Sequence, residues 1–302
     1  MGSDQWAALD GAPENLNRFV LMAKKSKRKL SSITIEKASH ESETFSEEKL
    51  YRSLRQTKAS KELVERVMRL LRDQVQPGIT TGKLYRMAYS LLYQESRHLA
   101  ARYSLKKAIM NLGPSGYPFE KLIAALFAIQ GYETQLDVAL EGACVKHEVD
   151  VVAARKNFRL LVECKFHNDH GKKCDVKVAL YVHARSQDLS ANPKGKSFDE
   201  FWLATNTKFT KDAIRYGECS GLKLLSWDHP KGKGLKELIP LSQVHPITCL
   251  TTLKVKDKKE LLGQNIVLCK ELQESPELLE NIGLKDAAIR RTLEEIASLI
   301  TI

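Results

Sequence analysis

The sequence contains no paired-cysteine motif and no long apolar run. Its six cysteines are scattered along 302 residues without a Cys-x-x-Cys pair or a regular framework, which argues against a disulfide scaffold and favours a reduced cytoplasm. No apolar stretch approaches the length of a transmembrane helix, and the N-terminus lacks the apolar core of a signal peptide. We therefore expect a cytoplasmic protein with no membrane partner.

Acidic residues are outnumbered by basic ones. The 37 Asp and Glu stand against 48 Lys and Arg, so the formal net charge is +11 at pH 7. A basic balance favours a polyanionic partner such as a nucleic acid, although many proteins without such a partner share it. The length allows two or three domains, so the motifs have to decide what each domain does.

The most informative motif combines an acidic residue in one apolar segment with a Glu-x-Lys in the next. Asp150 follows His147-Glu148-Val149, and the second segment carries Glu163-Cys164-Lys165. We predict two strands joined by a turn, with Asp150 at the end of the first. Glu163 and Lys165 share one face of the second strand because side chains alternate with period two.

These residue types suit one kind of chemistry. Two carboxylates can hold a hard cation such as Mg²⁺, and a neighbouring lysine can position or deprotonate a water, which together would hydrolyse a phosphodiester. The alternative is a strand pair that carries a surface salt bridge. Cys164 lies on the opposite face of its strand, so we expect it to take no part.

Residues 113–238 alternate between predicted helices and strands, which indicates a mixed sheet flanked by helices. Their order resembles the catalytic domain of Mrr-type restriction endonucleases, in the PD-(D/E)xK nuclease superfamily. Four features in sequence order carry the resemblance: Phe119-Glu120 with Gly131-Tyr132, His147 to Asp150, Glu163-Cys164-Lys165, and Ala204-Thr205-Asn206 with Phe209.

The resemblance implies a role for each matching residue. Asp150 and Glu163 would bind Mg²⁺, Lys165 would activate or orient the attacking water, and Glu120 would assist from the first helix. It also implies a DNA substrate and a restriction or defence role. A homodimer is expected, because cutting both strands needs two sites.

Several residues near the motif have weaker interpretations. His147 could contact phosphate or a carboxylate, or it could be a structural histidine. We predict a substrate-facing flap with Lys172 and Lys173 near phosphates, and Lys177 and Tyr181 completing the pocket. A cluster of possible zinc ligands is formed by Cys164, His167, His170 and Cys174. Its spacing is unlike that of a zinc ribbon or finger, so we do not predict a zinc site there.

The N-terminal third divides into a basic arm over residues 1–31 and a small β segment followed by helices over 32–112. Ser46, Ser60 and Thr80 or Thr81 are predicted to begin helices, and the last helix of this region is expected over 99–110.

Three blocks of this region resemble the ATP-cone domain, which binds ATP or dATP: Ile35-Glu36-Lys37 with Phe45 to Leu50, Gly78 to Thr81, and Ala100 to Ala108. The resemblance implies nucleotide contacts from Lys37, Lys49 and Thr81, with either Lys106 or Lys107 as a further candidate. The first hairpin departs from the family pattern, since Lys37-Ala38-Ser39-His40 lacks the usual arginine and glycine. The alternative is a helical dimerisation or DNA-docking module.

Residues 239–302 are predicted to be helical, and Ile282-Gly283-Leu284 is similar to the turn of a helix-hairpin-helix. Such a turn could present backbone N–H groups and Lys285 to a DNA phosphate. A packing domain is the alternative, because glycine is common at helix ends.

The sequence thus predicts a multidomain α/β protein. Its first functional hypothesis is a Mg²⁺-dependent DNA endonuclease that ATP or dATP regulates. The second is a nucleotide-sensing DNA-binding regulator with a non-catalytic nuclease-like scaffold, and the third is an RNA-processing nuclease, because these residues do not distinguish the two backbones.

Overall fold

The computed structural model describes residues 33–36, 42–169, 171–195 and 197–300. The chain divides into two compact units, Met1–Tyr103 and Ser104–Ile302. This division precedes residue 112, where the first domain is predicted to end. The helix predicted over 99–110 is in fact two helices, α4 (Arg97–Tyr103) and α5 (Leu105–Met110). α5 belongs to the second unit because it packs there, where Thr248 Oγ1 donates to Ala108 O at 2.7 Å.

The first unit begins with an antiparallel hairpin of β1 (Thr34–Glu36) and β2 (Ser42–Thr44). Helices α1 (Glu47–Arg55), α2 (Lys61–Arg72) and α3 (Thr81–Glu95) follow, and α4 completes the unit.

The three predicted helix starts are confirmed in the structure. The hydroxyls of Ser46, Ser60 and Thr80 each accept a backbone N–H three residues on, and these bonds satisfy donors that the helix leaves unpaired.

The second unit contains a five-stranded mixed sheet in the order β3-β4-β5-β7-β9. Its strands are β3 (Glu133–Glu141), β4 (Lys146–Arg155), β5 (Phe158–Lys165), β7 (Glu200–Thr205) and β9 (Lys223–Leu225). The first three are antiparallel, and β5, β7 and β9 are parallel. The mixed α/β architecture expected from the sequence is therefore confirmed.

Three helices belong to this sheet region: α6 (Tyr117–Ala128), α7 (Val176–Ala191) and α8 (Lys211–Ser220). A second, two-stranded parallel sheet joins β6 (Lys173–Cys174) to β8 (Lys208–Phe209). The strand predicted over 222–228 ends at Leu225, because Ser226 N donates instead to His229 O and the chain turns.

The C-terminal part is helical, as predicted. It comprises α9 (Leu235–Ser242), a 3-10 turn at Ile247–Cys249, α10 (Val255–Gly263), α11 (Cys269–Glu274), α12 (Glu277–Asn281) and α13 (Asp286–Ile300). Gly283, at φ +79°, makes the turn between α12 and α13, where glycine avoids a steric penalty. Within the described ranges, no helix is both long and apolar enough to cross a bilayer.

Candidate active site

Three carboxylates occupy neighbouring positions on β3, β4 and β5. The β3–β4 ladder pairs Leu136 with Val151 and Val138 with Val149, so Asp137 lies opposite Asp150. The β4–β5 ladder begins at Val151 and Val162, which puts Glu163 beside Asp150 on the other side. Residues directly opposite in antiparallel strands have Cβ atoms about 4.5–5.5 Å apart, so the three acids form a short row.

Asp150 was expected at the end of a strand, and this expectation was wrong in part. The residue lies inside β4, but the ladder with β5 stops at Val151, one residue short of Asp150. The reason is local: Asp150 Oδ2 accepts the backbone N–H of Cys164 at 2.6 Å. This bond holds the carboxylate against β5, next to Glu163.

Glu120 approaches the row from the first turn of α6. Burial raises the pKa of Glu120 to about 7, and the charges of Asp150, Asp137 and Glu148 add to the effect. The helix therefore brings a fourth carboxyl group into the electrostatic field of the sheet acids.

The two predicted metal ligands also have raised pKa values. Burial, with the charges of Asp150 and Glu120, raises the pKa of Glu163 to about 8, against an opposing effect of Arg185. Burial also raises the pKa of Asp150. The structure thus gathers Glu120, Asp150 and Glu163 into one cluster of mutually repelling acids.

Lys165 is the last residue of β5, two positions beyond Glu163. Thr205 Oγ1 donates to Lys165 O at 2.7 Å and fixes the end of the strand. The lysine side chain is exposed. Among the described residues it has no hydrogen-bond or ion-pair partner, so it remains available to a water or a phosphate.

Asn206 holds the chain just past Lys165. Its Oδ1 accepts His167 N, and its Nδ2 donates to His167 O, each at 2.8 Å. Asn206 is 1% exposed and His167 5% exposed, so this pair of bonds is shielded from water. The sequence singles out Thr205-Asn206 as a motif, and the structure shows that both side chains fix the end of β5.

Arg185 is a member of the site that the sequence did not indicate. It lies on α7, where its Nη1 donates to Glu163 Oε2 at 2.8 Å and its Nη2 donates to Glu148 O. Its guanidinium also stands 5.6 Å from the ring centroid of Tyr181. An arginine on an amphipathic helix gives no signal of such a contact, because its partner comes from a distant strand.

Asp137 was missed for a different reason. It has a φ of +52°, uncommon for a residue other than glycine but better tolerated by Asp and Asn than by most. The alternation of β3 predicts a strand without showing that this position faces Asp150.

His147 contacts a carboxylate, as one of its interpretations allows, and the contact joins two elements of the fold. Its Nε2 lies 2.7 Å from Asp188 Oδ2 on α7, and Asp188 also accepts the backbone N–H of Cys144 and Val145. The bond from His147 is the main cause that lowers the pKa of Asp188 to about 2. His147 and Asp188 therefore fasten the β3–β4 turn to α7.

The donor set fits Mg²⁺. Mg²⁺ commonly binds through one or two carboxylates and completes its shell with water and phosphate oxygens, which matches Asp150 and Glu163. Among the residues that the structure describes, no three His, Cys, Asp or Glu side chains are close enough to hold a metal ion by themselves. His170, one of the four residues weighed for zinc, lies outside that part of the chain.

The predicted nucleotide-binding residues do not all belong to one unit. Lys37 lies outside the described residues. Lys49 Nζ pairs with Glu43 at 3.1 Å, and Thr81 is the first residue of α3. Lys106 belongs to the second unit, where its Nζ stands 5.9 Å from the ring centroid of Trp227.

Comparison with known proteins gives two domain-level matches. Residues 113–231 match the restriction endonuclease family Mrr_cat, and residues 245–300 match the AF1548-like C-terminal family. The first match contains all four predicted catalytic residues. It is consistent with the nuclease-like fold that the sequence motifs indicate.

The chain is also similar to an uncharacterized protein of Archaeoglobus fulgidus, with 36% identity over 180 residues that cover 59% of this chain and 99% of the relative. The solved structure of AF1548, a protein of unknown function, is 33% identical, with a TM-score of 0.51 and coverage of 62% of this chain and 98% of that one. The chain belongs to the AF1548-like family.

A further solved structure, MspJI restriction endonuclease in complex with a 27-mer oligonucleotide, is 12% identical with a TM-score of 0.31 over 67% of this chain and 37% of that one. A likeness of that size does not bear on function. The AF1548-like relatives align with nearly all of their own length, and 33–36% identity is enough for a shared fold.

Proposed function

We propose that this AF1548-like protein is a Mg²⁺-dependent DNA endonuclease of restriction or defence type. The observation that carries the proposal is the meeting of Asp150 and Glu163 on adjacent strands, with Lys165 two residues further along β5. Glu120 joins them from α6. The match of residues 113–231 to a restriction endonuclease family supports the same activity.

Each residue has a distinct task in this mechanism. Asp150 and Glu163 would hold Mg²⁺, which when bound neutralises charge on the phosphate and favours ionisation of a water. The Cys164 N–H orients Asp150, and Arg185 orients Glu163. Each of the two carboxylates is therefore held in a fixed direction by a hydrogen bond.

Lys165 and Glu120 act on the water and the phosphate. The Lys165 ammonium can donate to the attacking water or to a phosphate oxygen, and Thr205 keeps its strand end in place. Glu120, whose pKa is raised to about 7 by burial, can accept or return a proton near neutral pH.

The acid cluster favours an enzyme over a non-catalytic scaffold. Half-buried carboxylates that repel one another destabilise the fold and make no compensating hydrogen bonds among themselves, and such arrangements concentrate at functional sites. Arg185 offsets only part of this charge. A protein that only bound DNA would gain nothing from this arrangement.

Nucleotide regulation is the second part of the proposal. The first unit would bind ATP or dATP through Lys37, Lys49 and Thr81, and binding would change the cleavage rate. Lys49 would exchange its exposed ion pair with Glu43 for a phosphate, at little cost because such surface pairs contribute about 0–1 kcal/mol. A homodimer would supply the two sites needed for double-strand cleavage.

Plasmid cleavage with Mg²⁺ tests the catalytic assignment. Asp150→Asn and Lys165→Met should each lower the rate by about 10²–10⁴-fold, the usual range for such groups. Lys146→Met is the matched control, because Lys146 is an exposed lysine whose only described ion pair is a long one, 3.8 Å, to Glu141. Cleavage at the wild-type rate by both site variants would sink the assignment.

Two further arms separate the alternatives. Duplex DNA, single-stranded DNA and structured RNA, offered in equal amounts, decide between a DNA endonuclease and an RNA-processing nuclease. Calorimetric titration of the full chain with ATP or dATP, compared with Lys49→Ala, tests the nucleotide site. No heat of binding from the wild type would remove the regulatory part and leave the catalytic part standing.

A further inference from the structure

Two lysines lie side by side on the small parallel sheet of the second unit. The β6–β8 register pairs Lys173 with Lys208, and both residues are exposed. Like charges directly opposite each other destabilise a strand pair. Lys172 precedes Lys173 and adds to the positive charge. This sheet therefore concentrates positive charge at a cost to its own stability.

A third lysine joins them from α5. Lys106 is half-buried, with its Nζ 5.9 Å from the centroid of Trp227. Burial lowers the pKa of Lys106, and the charge of Lys208 lowers it further, so the two ammonium groups are near each other. The described counter-charge is Asp228, which pairs with Lys208.

The nearby aspartates Asp169 and Asp175 accept hydrogen bonds from backbone N–H groups. Asp175 accepts the N–H groups of Lys177 and Val178 at the start of α7, and Asp169 accepts that of Gly171. These carboxylates cap a helix and a turn, and neither forms an ion pair with a lysine in the described part of the chain. These two aspartates keep their charge, but together with Asp228 they are three acids against the four lysines Lys106, Lys172, Lys173 and Lys208, so the cluster keeps a surplus of positive charge.

The backbone of Trp227 is fixed beside these lysines. The backbone N–H of Trp227 donates to Thr207 O at 3.1 Å, and its backbone carbonyl accepts the backbone N–H of Lys236 at 3.2 Å. Gly234 packs so closely that an added Cβ would lie 2.7 Å from Trp227 O. The partly exposed indole of Trp227 extends from this fixed backbone, and an aromatic ring in such a position can contact a sugar or stack on a base.

The cluster lies at the same edge of the sheet as the acidic site. Lys165 ends β5, the Thr207–Lys208 segment follows β7, and Trp227 follows β9. These strands are parallel, so their carboxyl ends meet at one edge, where open α/β sheets bind ligands. The charge of Lys165 lowers the pKa of Cys174, against the larger effect of burial, which raises it. Cys174 is the neighbour of Lys173, so Lys165 lies close to the small sheet.

We propose that Lys106, Lys173, Lys208 and Trp227 form a lysine track that binds the phosphate backbone of DNA beside the cleavage site. The inference rests on the proposed function. Phosphate contacts position a nucleic acid without reading its sequence, so the track contributes affinity and register rather than specificity.

Fluorescence anisotropy of a labelled DNA duplex tests the track, with the full chain in EDTA so that no metal-dependent cleavage occurs. The double variant Lys173→Ala/Lys208→Ala should raise Kd about tenfold or more. It should also reduce the slope of log K against log salt by about 2, since each phosphate contact contributes about 0.9. The loss should be the same for unrelated DNA sequences.

The matched control removes the same charge from the opposite edge of the sheet. Lys156 precedes β5 and Lys223 begins β9, so Lys156→Ala/Lys223→Ala should change Kd less than about twofold. Equal weakening by both double variants, wild-type affinity in the track variant, or no binding by the wild type would each overturn the track.

Failure of the track is distinguishable from failure of the proposed function. If Asp150→Asn cleaves like the wild type but the track variant loses DNA binding, the active-site assignment fails and the track stands. If cleavage depends on Asp150 but the track variant binds normally, only the track fails. Thermal midpoints no lower than that of the wild type confirm that the lysine variants are folded.

Discussion

Replacing Asn206 by alanine removes the side chain that fixes the end of β5 beside Lys165. The N–H and the carbonyl of His167 would both lose their partners at a position that is 5% exposed. An unpaired buried polar group costs about 1–3 kcal/mol. With two such groups, we therefore expect the variant to lose about 2–6 kcal/mol of the free energy of unfolding of the second unit.

Two measurements follow this change. Urea denaturation gives the free energy of unfolding, and hydrogen exchange of a peptide that spans 163–169 reports the His167 amide directly. DNA cleavage should fall as well, because Lys165 would no longer be held in one position. Asn281→Ala is the control, since Asn281 is an exposed asparagine with no described side-chain hydrogen bond.

Asn206→Asp provides a second test at nearly constant volume. It keeps the acceptor for His167 N but replaces the donor to His167 O with a carboxylate oxygen. The aspartate should therefore be destabilising even though it fills the same space. If Asn206→Ala and Asn281→Ala both lose less than about 0.5 kcal/mol, the range typical of neutral surface changes, the stabilising role of the Asn206–His167 hydrogen bonds is refuted.

Three further predictions concern charge and capping. In EDTA the thermal midpoint should fall as pH rises from about 5 to 8. The pKa values of Glu120 and Glu163 are raised from 4.5 to about 7 and about 8, so the folded chain binds more protons than the unfolded one. A fall equally steep in the Glu163→Gln variant would contradict this. Arg185→Met should lower the thermal midpoint in EDTA, and adding Mg²⁺ should raise the midpoint of this variant more than that of the wild type. A midpoint unchanged in both conditions would exclude a role for the bond from Arg185 to Glu163. Thr80→Ala should cost about 1 kcal/mol in urea denaturation of the first unit, as for other lost helix caps, and no loss would show that the cap is dispensable.

Local signals explain why much of the fold is readable from the sequence. A hydroxyl residue ahead of an amphipathic segment marks a helix start, and Ser46, Ser60 and Thr80 each cap one. The helix expected over 99–110 was wrong because its interruption at Ser104 arises from packing in two different units, which helical periodicity does not encode.

The sequence by itself determined that Glu163 and Lys165 share a strand face, and that Asp150 belongs to the preceding strand, because alternation along a strand is a property of the local chain. Only the tertiary structure decided the partners. Strand register puts Asp137 opposite Asp150, and helix packing brings Arg185 to Glu163. Strand register in the small parallel sheet also pairs Lys173 with Lys208. These contacts join residues far apart in the chain, and the long-range packing that creates them leaves no periodic trace in the sequence.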